Sequence, residues 1–125
     1  MKKILIVEDE EIMLKALVEK FTDEGFEVIK AVDGEEGLRV ALQEKPDLIL
    51  LDILLPKMDG IEVLKKLRED DWGKSAKIIL LTNVADTARV AEGAQYNTSE
   101  VYEYLIKTDW TLDEVVQKVK NRLKS

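Results

Sequence analysis

The sequence predicts an α/β domain: a parallel five-stranded sheet covered by helices on both faces. Three observations carry that expectation. Ile4-Leu5-Ile6-Val7, Leu48-Ile49-Leu50-Leu51 and Ile78-Ile79-Leu80-Leu81 are apolar runs without alternation, as expected of strands buried on both faces. Between the runs, apolar residues recur at helical spacing. Strand and helix alternate strictly along the chain, which implies parallel pairing with helical crossovers.

The first strand stops at the acids Glu8-Asp9-Glu10-Glu11. The helix that follows carries Ile12, Met13, Ala16, Leu17 and Phe21 as its apolar stripe and stops at Gly25. Phe26 to Val32 alternates more, which places the second strand nearer a sheet edge. Asp33 and Glu36 have capping-box spacing, and Leu38, Ala41 and Leu42 form the next stripe before Pro46 forbids continuation. The third strand ends in a carboxylate, Asp52, and Pro56 and Gly60 bound the loop after it. Ile61, Leu64 and Leu67 restart the helical period until Asp70-Asp71-Trp72-Gly73 breaks it.

The fourth strand ends in Thr82-Asn83, a short helix is expected through Ala85 to Ala91, and Gly93 to Ser99 is polar and weakly patterned. Val101 to Ile106 is the fifth strand, ending at Lys107. Thr111 and Glu114 form a capping box, Trp110 and Val115 a hydrophobic staple, and Leu112, Val115, Val116, Val119 and Leu123 the core face of the last helix. There is no repeat, low-complexity segment or linker, and residues 1–125 read as one domain.

Right-handed crossovers leave few topologies for five such units, and a flavodoxin-like doubly wound order 2-1-3-4-5 is the common one. It sets the ends of the first and third strands side by side. Glu8 and Asp9 then meet Asp52 at the topological switch point, where open α/β sheets bind ligands, and Thr82 and Lys107 arrive from the strands beyond.

Composition narrows the chemistry. The chain has no cysteine and no histidine, so thiolate metal sites and a histidine base are excluded, and carboxylates, hydroxyls and lysine must act. A net charge of -7 argues against direct nucleic-acid binding, which needs clustered Lys and Arg. No apolar run is long enough to span a bilayer, and no secretory signal is recognisable, so a cytoplasmic location is expected.

The acidic pair Glu8-Asp9, the segment Leu51-Asp52-Ile53-x-x-Pro56-x-Met58-Asp59-Gly60, Leu81-Thr82 and Tyr104-Leu105-Ile106-Lys107 stand in order along the chain. In this the sequence closely resembles the receiver domains of bacterial two-component response regulators over essentially its whole length. The resemblance implies that Asp52 is the phosphoryl acceptor, that Glu8 and Asp9 hold Mg²⁺, that Thr82 and Lys107 contact the phosphoryl group, and that Tyr104 is a switch aromatic. It implies a sensor histidine kinase or phosphotransfer protein as donor. A shift of the surface formed by the fourth helix, fifth strand and last helix would be the output, acting in a monomer or a phosphorylation-dependent dimer.

The chemistry of the residues agrees. Mg²⁺ takes oxygen ligands and keeps several waters, so Asp9, Asp52 and the Leu54 carbonyl suffice as the protein share, with Glu8 acting through water. Ionised Asp52 is itself the nucleophile, while a metal, a lysine point charge and a hydroxyl neutralise the transferring group. Such a domain is not an enzyme in the ordinary sense, since it catalyses its own phosphorylation and slow dephosphorylation alone. With apolar Leu54 and Val84 two positions beyond Asp52 and Thr82, nothing there orients an attacking water, and the phosphoaspartate should be long-lived.

Two departures from the family stand out. Thr108 replaces the usual Pro after the lysine, where a cis peptide would cost ~2.5–4 kcal/mol. The interval from Thr82 to Lys107 is 25 positions, a few more than the family's, with the excess in Gly93 to Ser99. Two other readings compete. An aspartate-nucleophile phosphatase of the haloacid dehalogenase type needs a second Asp where Leu54 stands. A receiver-like interaction module without the chemistry draws on the altered 82 to 107 region. A flavin site lacks its phosphate loop after the first strand.

Overall fold

The computed structural model describes residues 1–82, 102–106 and 111–124, with the backbone alone for Thr82 and for Tyr102–Ile106. Five strands, β1 (Lys3–Val7), β2 (Glu27–Ala31), β3 (Leu48–Asp52), β4 (Ile78–Thr82) and β5 (Tyr102–Ile106), pair in the order β2-β1-β3-β4-β5, every pair parallel. Three helices, α1 (Glu11–Asp23), α2 (Gly34–Glu44) and α3 (Gly60–Arg68), and a C-terminal helix (Leu112–Leu123) complete the described fold, with one 3₁₀ turn at Gly73–Ser75. The expected flavodoxin-like class with a parallel sheet is found. The expected helix at 85–91, the 93–99 segment, the Lys107-Thr108 peptide and the Trp110 half of the staple lie outside the described residues.

Alternation along each strand sorts the core into two layers. Leu5, Val7, Ile49, Leu51, Ile78 and Leu80 meet Ala41, Ile61, Leu64 and Leu67 of α2 and α3. Ile4, Ile6, Leu48, Leu50, Ile79 and Leu81 meet Leu14, Leu17 and Phe21 of α1 and Val115, Val116 and Val119 of the C-terminal helix. The unalternating runs therefore feed both layers at once. β2, at the sheet edge, is the half-exposed strand that its alternation predicts.

Two local expectations need correction. Ile12 does not face the core: it is 81% exposed, and Leu14 takes its place in the buried stripe. Nine residues from Phe21 and two from Leu14, Ile12 stands about half a turn around α1 from the buried stripe, on the face turned to solvent. At α2, Asp33 caps Glu36 N as expected, but the Glu36 carboxylate accepts from Val32 N instead of closing the box on Asp33. The capping box at Thr111 and Glu114 is complete.

Gly25 takes φ +93 and ends α1, as expected. α2 ends differently. Its C-cap is Lys45, in a left-handed conformation (φ 47, ψ 61) where glycine is the usual residue.

Candidate functional site

At the C-terminal edge of the sheet, β1 and β3 lie side by side, with Val7 opposite Leu51. One residue further along each strand stand Glu8 and Asp52. Glu8 is fully buried and Asp52 is 4% exposed, whereas Asp9 is open to solvent. Carboxylate oxygens of all three lie within 4.8 Å of one another. Glu8 and Asp52 are the two buried charged residues among those described, a costly arrangement unless charge is compensated.

The donor set suits a hard divalent cation. Three carboxylates offer oxygen alone, and oxygens around Mg²⁺ sit about 2.0–2.1 Å from the ion, so a cluster of this span can close on one. The same set offers nothing to a soft metal.

Glu8 N donates to the Ala31 carbonyl at 3.0 Å, which carries the β1 end across to β2. At the end of β3, Ile53 N donates to Leu81 O (3.1 Å) and Gly60 N to Ile53 O (2.8 Å), fixing the backbone on both sides of Asp52. Gly60 makes this approach by having no side chain: a Cβ there would stand 2.3 Å from Asp52 O. Asp59 caps α3 through Glu62 N, so the helix starts directly under the site.

Sequence reasoning missed a second lock on this loop. Gly34, the first residue of α2, donates its N–H to Pro56 O, and a Cβ on it would overlap Met58 O at 1.7 Å. Met58 N also donates to Pro56 O, closing a tight turn in which Lys57 takes φ +69. Lys57 Nζ reaches Asp33 Oδ2 at 3.7 Å. The β3–α3 loop is thus keyed into the N-terminus of α2. The glycine after Asp33 was the available sign of it.

Leu54 lies two residues past Asp52, with its side chain 54% exposed. Thr82 is the last residue of β4 and pairs with Ile106, while Tyr104 lies mid-strand opposite Leu80. Backbone pairing therefore brings the ends of β4 and β5 to the same edge of the sheet. The side chains of Thr82 and Tyr104, and all of Lys107, lie outside the described residues.

The family model for the response regulator receiver domain matches residues 4–120. The alkaline phosphatase synthesis transcriptional regulatory protein PhoP of Bacillus subtilis is 56% identical over 68 residues, covering 54% of this chain and 28% of that protein. The response regulator ArlR of Staphylococcus aureus is 33% identical over 120 residues, covering 96% of this chain. The chain spans about half the length of ArlR, 52%. Among solved structures, the response regulator protein TrrA of Thermotoga maritima, in complex with Mg²⁺-BeF, superposes with a TM-score of 0.82 at 36% identity, covering 98% of this chain and 99% of that one.

Proposed function

The chain belongs to the response regulator receiver domain family, and on that footing we propose that Asp52 takes a phosphoryl group from a phosphohistidine of a sensor histidine kinase or phosphotransfer protein. The observation that carries this reading is the convergence of Glu8, Asp9 and Asp52 within 4.8 Å at the strand ends, with Asp52 almost wholly buried. Residues 1–125 act as one receiver domain of a two-component system, a signalling domain rather than a classical enzyme.

In the step itself an Asp52 carboxylate oxygen attacks phosphorus, a P–O bond forms, and the P–N bond to the donor imidazole breaks. The locked backbone on either side of Asp52 aims that oxygen, so little of the barrier is spent on orientation. Glu8, Asp9, Asp52 and the Leu54 carbonyl would hold Mg²⁺, which would supply charge neutralisation at the transferring group, in keeping with the Mg²⁺-BeF complex of the TrrA relative. Thr82 and Lys107, at the ends of β4 and β5 in the order 2-1-3-4-5, receive the remaining phosphoryl oxygens.

The new charge draws Thr82 and Lys107 inward and lets Tyr104 turn, shifting a two-state equilibrium at the face formed by β5, the C-terminal helix and the helix expected through Ala85 to Ala91. The output passes to a protein target from a cytoplasmic monomer or phosphorylation-dependent dimer, without direct nucleic-acid contact. Among the described residues no helix is long and apolar enough to cross a membrane.

Acetyl phosphate labelling with intact-mass detection tests this. The expected result is a gain of one phosphoryl group that needs Mg²⁺ and is absent in Asp52→Asn. Labelling of Asp52→Ala to the wild-type level would sink the assignment.

A further inference from the structure

The first turn of α2 touches both sides of the acidic site. Gly37 packs on Val7, the residue before Glu8, so closely that a Cβ on it would stand 2.8 Å from Val7 Cγ1. Gly34 N, at the start of the same turn, donates to Pro56 O at 3.3 Å, in the loop that leaves Asp52. One helical turn thus braces the end of β1, which leads into Glu8 and Asp9, and the β3–α3 loop, which carries Leu54. Leu54 stands between two pinned points of that loop: Ile53 N donates to Leu81 O, and Pro56 O accepts from both Gly34 N and Met58 N.

A side-chain pair ties the loop to the brace. Asp33 uses its two oxygens separately: Oδ1 accepts from Glu36 N at 2.8 Å and caps α2, while Oδ2 lies 3.7 Å from Lys57 Nζ. The Asp33 side chain is only 14% exposed and is held by the helix, so the lysine comes to it. Lys57 reaches it from a left-handed backbone, φ +69, that glycine would adopt at less cost. A side chain kept where the backbone disfavours one points to a use for that side chain.

We propose, on the reading that Glu8, Asp9, Asp52 and the Leu54 carbonyl form the Mg²⁺ site, that Lys57 and Asp33 are positioning residues for the cation: their pair holds the β3–α3 loop against α2 and so fixes the Leu54 carbonyl relative to the three acids. Charge alone gives the opposite sign for Lys57, because an ammonium in the same loop repels a dication and its removal should tighten binding. Linkage adds a second consequence. A clasp that favours Mg²⁺ must itself be favoured by Mg²⁺.

The test is Mg²⁺ titration of the metal-free full chain, followed by NMR on its backbone amides, with hydrogen exchange of the Gly34 amide alongside. Lys57→Gln and Asp33→Asn should each weaken Mg²⁺ binding by about two- to fivefold, the range of an exposed ion pair, and the double variant should bind no more weakly than either single. Asparagine keeps the cap, so α2 stays formed. Independent charges would instead shift binding in opposite directions and cancel in the double variant. Lys57→Arg should bind as wild type does, and Mg²⁺ should slow Gly34 exchange in wild type by more than in Lys57→Gln. A merely structural pair would lower Tm and leave Mg²⁺ affinity alone. Unchanged or tighter binding by Lys57→Gln, or a Gly34 amide indifferent to Mg²⁺, overturns the inference and leaves the Mg²⁺ site standing; no saturable Mg²⁺ binding to wild type overturns both.

Discussion

Gly60 governs Asp52 without touching its carboxylate. A Cβ on Gly60 would stand 2.3 Å from Asp52 O and 2.9 Å from Ile53 Cα, both backbone atoms that no rotamer change can move aside. Alanine there must push α3 away from the end of β3 and stretch the 2.8 Å Gly60 N to Ile53 O bond. Overpacking of this kind costs about 1–3 kcal/mol. Because the same backbone carries Asp52, the proposed phosphoryl acceptor, displacement of that order should also slow the proposed phosphoryl transfer by about tenfold or more. Gly60→Ala is therefore expected to lower Tm and to slow acetyl phosphate labelling together. Wild-type values for both would show that the contact is slack.

Between elements, α1 and the C-terminal helix are laced by a chain of alternating charge. Lys20 pairs with Asp113 across the two helices and with Glu24 at 3.7 Å along its own, and Glu24 meets Lys120 at 2.9 Å. The hydrogen bond that Lys20 donates to Asp113 raises the Lys20 pKa above its ordinary 10.5. That from Lys120 holds Glu24 below its ordinary 4.5, and that from Lys20 holds Asp113 below 3.8. The two acids contribute stability that is fully present above those ordinary values and is lost as pH falls through the lowered ones. Lys20 contributes fully below 10.5 and loses its share as pH rises through its raised value. All these groups are exposed, so the effect is small and screened by salt. Asp113→Asn should sit slightly below wild type in Tm by the same margin at pH 6 and pH 9, and the gap should close at pH 2. A gap unchanged at pH 2 would mean that the asparagine acts through packing.

Over the whole molecule, the acidic edge trades stability for a site. Like charges about 5 Å apart in a partly solvated setting repel by about 1–3 kcal/mol, and each kcal/mol is worth about 4 °C in a domain of this size. Metal-free Asp52→Asn is thus expected to melt about 4 °C or more above wild type. Mg²⁺ at a hundredfold excess over its Kd should stabilise wild type by about 2.7 kcal/mol and the variant by less, narrowing or reversing the order. A variant melting below wild type without metal would contradict the crowding.

The class of fold and the three acids were legible because unalternating apolar runs stopping at charged residues leave one way to bury the runs and expose their ends. Ile12 misled because it is out of phase with Leu14, Leu17 and Phe21, about half a turn around α1 from them. Glu36 misled because its carboxylate had two backbone donors in reach, Val32 and Asp33. The Gly34 to Met58 lock joins residues 24 positions apart and depends on helix placement that no local pattern encodes.

One consequence of the strand order concerns time. β1 is made first and sits inside the sheet, flanked by β2 and β3, the next two strands synthesised. The first 52 residues therefore contain a complete three-stranded parallel unit that includes Glu8, Asp9 and Asp52. Later strands add at one side in the order they are made, β4 on β3 and β5 on β4. Parallel pairing is slow because each crossover must close first, and this order spares the nascent chain any need to insert a late strand between early ones. The three acids are thus all present in the nascent chain before β4 and β5 are made.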